Sequence, residues 1–442
     1  MKFLTVAAAL SLGVSTSNAC LMDTEIQAER TFKTTGVRPV ERRSTPNKAA
    51  ATFPIGTGDR FADATPVGLG VDDRKLESIL NVKEATSALD ALKKAYPDEV
   101  SLFTPPFETF EGRSLPGILI GDSPRVFIMS GIHARERGGP DNVIYFISDL
   151  LAARKAGTGL TYGDATYTAE QVETALGAGL VVMPLTNPDG VTYDQESGSC
   201  WRKNRNTESG SSGNSVGIDL NRNYDFVWDF EKAFDPSADP ASNDPSSETF
   251  CGTAAESEPE TKAVVWALDQ YKNITWFMDL HSYAADILYA WGDDDPGLEP
   301  EQNIENPDFD GKRGVTGDKV YKEYLTAEDL KTEEDGTKKM LTAMNKAGQT
   351  TYDAYPAVGL YPTSGASNDY AMGRYYGKLN CDSSRMFGLT LEFGAGSSSD
   401  PSCPFYPGDD EYHESIRQVG AGFMEMVLLA AGPAGDPVFP QC

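Results

Sequence analysis

From residue 75 onward the chain alternates two hydrophobic periods. "EATSALDALKKAYP" spaces its Ala, Leu and Tyr residues as one face of a helix, whereas "RVFIMSG" is a short continuous apolar run of the kind that forms a buried strand. "PDNVIYFISDLLAARKAG" predicts a helix and "GLVVMPLTNPDG" a strand ending in a turn. Next come the helix "SEPETKAVVWALDQYK", the strands "NITWFMDLHS" and "FGLTLEFG", and a last helix, "YHESIRQVGAGFMEMVLLAAG". Short apolar strands separated by helices imply a sheet covered on both faces. The expected architecture is therefore α/β, a single-domain α/β/α sandwich around a mixed, mostly parallel central sheet. Residues 20–74 show neither period and are rich in Pro, Gly, Thr and charge, so they read as an irregular N-terminal segment. The acidic, Pro/Gly-rich stretch 293–316 reads as a surface insertion.

Composition narrows the setting. A chain of 442 residues that is 40% hydrophobic buries a large core, and a formal charge of −28 argues against nucleic acid or an anionic membrane surface as partner. "MKFLTVAAALSLGVSTSNAC" has one Lys, an apolar stretch and small residues at Ser17 and Ala19 before Cys20, which predicts a signal peptide over 1–19 and a secreted, extracellular protein. Ser17 stands where a lipoprotein signal would carry a bulky aliphatic residue. No other stretch reaches the roughly 20 apolar residues of a spanning helix. Arg42–Arg43 reads either as a dibasic processing site or as a surface loop, and "KNIT" makes Asn273 a glycosylation sequon.

The six cysteines predict disulfides in a secreted chain. Six allow about fifteen arrangements, and the expected one pairs Cys200 with Cys251, Cys381 with Cys403, and Cys20 with Cys442.

The chain has only three histidines, His133, His281 and His413. In "GIHARERGGP", His133 and Glu136 lie three apart behind the apolar run "VFIMS", and "FMDLHSY" sets His281 at the end of another such run. Catalytic zinc takes three ligands from His and Asp/Glu and keeps a fourth position for water. Alone, an HxxE pair is weak evidence, and 144 residues lie between Glu136 and His281. In an α/β sheet, however, ligands gather at the carboxyl ends of strands, where His133, Glu136, His281 and Glu392 all fall.

"SCWRKNRN" at 199–206, "GIDLNRNYDF" at 217–226, "GLYPTSGASNDYAMG" at 359–373 and "LTLEFG" at 389–394 follow in order, with "NPDGV" and "GTAAESEPETKAV" between them. This series resembles the zinc carboxypeptidases of the carboxypeptidase A/B type over nearly all of residues 75–430. The resemblance implies a catalytic domain over 75–442 and one zinc per chain, held by His133, Glu136 and His281. It assigns the general base to Glu392, the oxyanion contact to Arg202, the substrate's terminal carboxylate to Asn221 and Arg222, and the mobile cap to Tyr361. Arg135 and Tyr283 match subsite residues, and Asn368 stands at the floor of the pocket for the last side chain. The implied activity is hydrolysis of the C-terminal peptide bond by zinc-activated water, with peptide or protein C-termini as partners and a monomer as the working form. His413 matches no motif and reads as a surface histidine.

Two positions depart from the pattern. Arg137 stands where pancreatic members usually carry Trp. Asn368 stands where an acid selects Lys or Arg and an aliphatic residue selects apolar side chains, so apolar or neutral C-terminal residues are expected. The segment before residue 75 is too short and irregular for the folded propeptide of pancreatic-type proenzymes, which leaves at most a short propeptide over 20–43 or 20–74. Two rival readings remain: a non-catalytic secreted binding protein, which would need a broken ligand or base, and an enzyme for another substrate such as a bacterial cell-wall peptide.

Overall fold

In a computed structural model that describes residues 21–35, 52–397, 399–400 and 402–441, the apolar runs assemble into one eight-stranded mixed sheet. Its strands are β1 (Val100–Phe103), β2 (Gly117–Ile120), β3 (Val126–Ser130), β4 (Leu180–Met183), β5 (Trp276–His281), β6 (Asp286–Tyr289), β7 (Asp353–Pro356) and β8 (Phe387–Glu392). They lie in the order β1-β2-β4-β3-β5-β8-β6-β7. The central run β4-β3-β5-β8 is parallel throughout; β2 pairs antiparallel with both β1 and β4, β6 pairs antiparallel with β8, and β7 pairs parallel with β6. Every residue of β3, β5 and β8 is buried. That explains why these strands read as continuous apolar runs rather than alternating ones.

The helices of ten or more residues are α1 (Asp23–Thr35), α2 (Val82–Ala95), α3 (Gly139–Ala156), α4 (Ala169–Ala178), α5 (Pro188–Ser197), α6 (Pro259–Gln270), α7 (Ala327–Ala347), α8 (Ser367–Tyr376) and α9 (Asp409–Ala431). They flank the sheet: α9 packs on α3, α4 and α7, and α8 lies on β8 and β5. Local chemistry sets their ends. Asn81 and Glu84 form a capping box at the start of α2, and α3 stops at Gly157, which adopts a left-handed conformation with φ 66°. The close seat of α8 depends on Gly388 in β8, where a Cβ would fall 2.0 Å from the carbonyl oxygen of Asn368.

Several expectations are corrected. The segment read as irregular contains α1, a 13-residue helix. "NPDG" does not close a turn; Asn187 caps α5 by accepting from the Gly190 N–H. The 293–316 stretch is not wholly a surface insertion, because Asp293, Asp294 and Arg313 are buried, with the Arg313 Nε 3.4 Å from Asp293. His413 is also buried rather than on the surface. Its Nε2 accepts from the Leu76 N–H at 2.9 Å and its Nδ1 faces the Asp409 carbonyl at 2.8 Å, tying α9 to the chain that precedes α2.

The disulfides differ as well. Cys200 bonds Cys403 across 203 residues, Cys251 is a buried free thiol, and Cys381 is therefore not joined to Cys403. Burial pushes the Cys251 thiol up to about 12. Pairing at this separation depends on tertiary proximity, which spacing along the chain does not report. The signal peptide, Arg42–Arg43 and the Cys20–Cys442 pairing lie outside the described residues.

Candidate active site

His133 and Glu136 follow β3, His281 ends β5, and Glu392 ends β8, so the parallel strands deliver all four to one sheet edge. The register places Glu392 directly beside His281. The Nδ1 atoms of His133 and His281 are 3.0 Å apart, with Glu136 Oε1 2.7 Å from the first and Oε2 3.1 Å from the second. All three residues are buried, and their ligand atoms fall within 4.8 Å of one another. Burial pushes the Glu136 carboxyl up, but the two histidines outweigh it and hold that carboxyl well below the usual range.

Each histidine is held from behind by a buried carboxylate. Asp219 Oδ1 lies 3.1 Å from His133 Nε2, and Asp279 Oδ2 lies 2.9 Å from His281 Nε2. Fixing Nε2 in this way turns both Nδ1 atoms toward Glu136. Arg202 donates to Asp219 Oδ2 at 2.8 Å, and its Nη1 reaches to 3.3 Å from His133 Nδ1, so a fixed positive charge borders the cluster. Burial would raise the Asp219 carboxyl, but Arg202 and His133 outweigh it and hold it well below its ordinary value.

The neighbouring polar residues form a connected frame. Asn221 Oδ1 accepts the Ser367 N–H at 2.8 Å, and the Ser367 hydroxyl donates to Asp279 at 2.6 Å, which ties the start of α8 to the carboxylate behind His281. Arg222 donates through Nε to the Pro240 carbonyl and through Nη1 to the Asn221 carbonyl. Its Nη2 makes no hydrogen bond among the described residues, and its guanidinium lies 5.8 Å from the centre of the Tyr361 ring.

Arg135 is fully buried and bound on two sides. Glu25 of α1 accepts from its Nη1 at 2.6 Å and its Nη2 at 2.9 Å, while the guanidinium stacks 4.2 Å over Phe405. Tyr283 meets the same Phe405 ring edge-on at 5.0 Å. Asn368, 3% exposed, donates to Asp369. Thus the sheet edge gathers His133, Glu136, His281, Arg202, Asn221 and Glu392; Arg222 stands beside Tyr361, Asn368 beside Asp369, and Arg135 and Tyr283 share the Phe405 ring.

A family model for zinc carboxypeptidases matches residues 85–411 of this chain. The chain belongs to the zinc carboxypeptidase family. It is 31% identical to carboxypeptidase B of Bos taurus over 269 residues, which are 60% of this chain and 52% of that protein. The chain thus spans about half the length of the curated relatives it matches. In fold it is similar to carboxypeptidase A from Helicoverpa armigera, with a TM-score of 0.56 and 23% identity over 79% of this chain and 74% of that one. It is also similar in fold to bovine thrombin-activatable fibrinolysis inhibitor, solved in complex with tick carboxypeptidase inhibitor. There the TM-score is 0.57 and the identity 21%, over 79% of this chain and 96% of that one.

The zinc this family implies fits the residues present. Two imidazoles and a carboxylate are a zinc donor set, and both imidazole Nδ1 atoms face the same carboxylate. Glu136 Oε2 is buried and, apart from the 3.1 Å approach of His281 Nδ1, makes no hydrogen bond among the described residues, which suits a zinc-ligand oxygen. In this zinc carboxypeptidase fold, sequence reasoning missed Asp219, Asp279, Ser367 and Asp369. The first two stood inside the quoted motifs, two residues before Asn221 and two before His281, and a search for a carboxylate behind each candidate ligand would have found them. Glu25 carried no such signal.

Proposed function

We propose that this protein is a secreted zinc-dependent exopeptidase that hydrolyses the C-terminal peptide bond of peptides and proteins. The observation that carries this reading is the convergence of His133, Glu136 and His281 beside Glu392, with Arg222 Nη2 making no hydrogen bond among the described residues. His133, Glu136 and His281 would hold one zinc, which would lower the pKa of a bound water toward ~7 and polarise a carbonyl.

The chain's own residues do the rest. Glu392, beside His281 in the ladder, accepts the proton of the attacking water and returns it to the leaving amine. Arg202, fixed by Asp219, supplies positive charge where the oxyanion develops, a contact whose loss costs roughly 100- to 1000-fold in rate. Arg222 with Asn221 takes the terminal carboxylate, since a guanidinium binds a carboxylate through parallel hydrogen bonds. Tyr361 caps the site, and Arg135 with Tyr283 lines the subsites for residues before the scissile bond. Asn368 floors the pocket for the last side chain and supplies no counter-charge, so apolar or neutral residues are preferred over basic ones.

The N-terminal segment acts as a short propeptide. Glu25 neutralises Arg135, and on the same helix Glu29 accepts from the Ser247 hydroxyl and Lys33 pairs with Asp239 at 2.9 Å. These contacts hold α1 on residues that adjoin Arg202 and Arg222, through the Glu248 and Pro240 carbonyls.

Glu392→Gln tests the assignment. The variant should retain zinc by metal analysis yet lose roughly 100- to 10,000-fold in kcat, because an amide cannot accept the water's proton. A loss below tenfold with zinc retained would place the base elsewhere.

A further inference from the structure

The orientation of the Asn368 amide is set by its neighbour. Asn368 Nδ2 donates to Asp369 Oδ1 at 3.0 Å. Asp369 is fully buried, and its carboxyl also receives the Gly292 N–H, at 2.9 Å on Oδ1 and 3.1 Å on Oδ2. An oxygen already accepting from Gly292 attracts the amide nitrogen of Asn368 and repels its oxygen. The approach requires a glycine, because a Cβ at residue 292 would fall 2.5 Å from Thr363 Oγ1 and 2.7 Å from Asp369 Oδ2. The amide group of Asn368 therefore has its nitrogen turned inward.

Its oxygen is left over. Asn368 Oδ1 makes no hydrogen bond among the described residues, and it is not among the fully buried unpartnered atoms, so it keeps a small solvent-accessible area. The same stretch of α8 is fixed to the site on the other side, through Ser367 to Asn221 and Asp279. Rotation of the helix start is thereby blocked as well.

We infer that Asp369 is a positioning residue that commits Asn368 to present a carbonyl acceptor, so that the pocket selects uncharged C-terminal side chains ending in an N–H donor, with glutamine as the type. This rests on the carboxypeptidase reading and sharpens it. A donor amide completes the unpaired acceptor, a thioether of equal length leaves it unpaired, and a carboxylate sets like against like. The expected order of kcat/KM is glutamine above methionine by roughly threefold to tenfold, and glutamine above glutamate by more than roughly tenfold.

The test uses matched peptides differing only in a C-terminal Gln, Met, Glu or Leu, on the zinc-loaded protein. Asn368→Leu should abolish the Gln-over-Met preference, bringing the two kcat/KM values within about twofold of each other. Asp369→Asn, which offers a donor as well as an acceptor, should free the Asn368 amide to turn and shrink the Gln-over-Glu ratio. A merely structural role for Asp369 would lower all four rates together and leave that ratio unchanged. Should Asp369→Asn fail to fold, the wild-type order and Asn368→Leu decide alone. Equal wild-type rates for Gln, Met and Glu would overturn the inference while leaving the exopeptidase reading intact. Failure to release any C-terminal residue from any of the four would overturn that reading instead.

Discussion

His281 and Arg135 are both fully buried, yet they are committed by very different partners. His281 is held by Asp279, two residues earlier on the same strand, and Glu136 is paired with His133 within one turn. Arg135 sits between those two ligands in sequence, but its carboxylate partner is Glu25, 110 residues away on α1. The candidate metal cluster takes part of its support locally, although His133 is also held by Asp219, 86 residues on. On the proposed substrate side Arg222 and Asn368 bond adjacent residues, but Arg135 is already satisfied by Glu25 of the remote helix α1. The candidate ligands could thus be read from motifs, whereas the availability of Arg135 depends on a helix more than a hundred residues away.

The strongest way to break this contrast is to remove the local partner of a ligand. Asp279→Ala should weaken zinc binding roughly 10- to 100-fold, because the carboxylate that orients His281 is gone. Titration against a zinc chelator measures it. Unchanged affinity would mean that the fold alone orients the ring.

A change at the pocket floor comes next. Asn368→Asp adds a counter-charge, and the ratio of kcat/KM for C-terminal Lys or Arg over Leu should rise roughly tenfold or more. An unchanged ratio would remove Asn368 from the floor.

Freeing the remote partner should have a smaller effect. Glu25→Ala should lower KM for peptides of three or more residues by roughly threefold to tenfold with kcat little changed, since Arg135 becomes available in a larger fraction of molecules. Dipeptide substrates, which do not reach that subsite, should respond less. An equal response of short and long peptides would show that α1 does not compete for Arg135.

The smallest expected effect is on stability against pH. Burial pushes the carboxyls of Asp141 to about 6, Asp149 to about 7 and Glu260 to about 8. Groups raised in the folded state contribute stability that is complete below their unfolded values near 4 and is lost as pH rises through these folded values. The net charge of −28 works in the same direction through self-repulsion. The metal-free protein should therefore melt at a higher temperature near about pH 5.5 than near about pH 8.5, by a few degrees. A melting temperature that rises across this interval would contradict the burial account.

Much of the fold was legible because its central strands are buried on both faces, so "VFIMS", "WFMDLH" and "FGLTLE" stand out without alternation. Helix α1 was not legible. Its sequence is mostly polar, and it is held by ion pairs to distant residues rather than by a continuous apolar face. Helix α7 was missed for a related reason, since "AEDLKTEEDGTKKM" is dominated by charge and carries a glycine, Gly336, that packs against Trp276. The ligands and their strand ends could be named from motifs. The Cys200–Cys403 bond and the burial of His413 are set by residues far apart in sequence, and no local pattern encodes them.

The central claim is that the site acts on a free C-terminus. One measurement addresses it most directly: mass spectrometry of products from a peptide with a free terminal carboxylate and from the same peptide as its C-terminal amide, each incubated with the zinc-loaded protein. The account predicts loss of single residues from the C-terminal end of the free acid, roughly tenfold to 100-fold faster than any change in the amide. Cleavage at internal bonds, or equal rates on acid and amide, would contradict it.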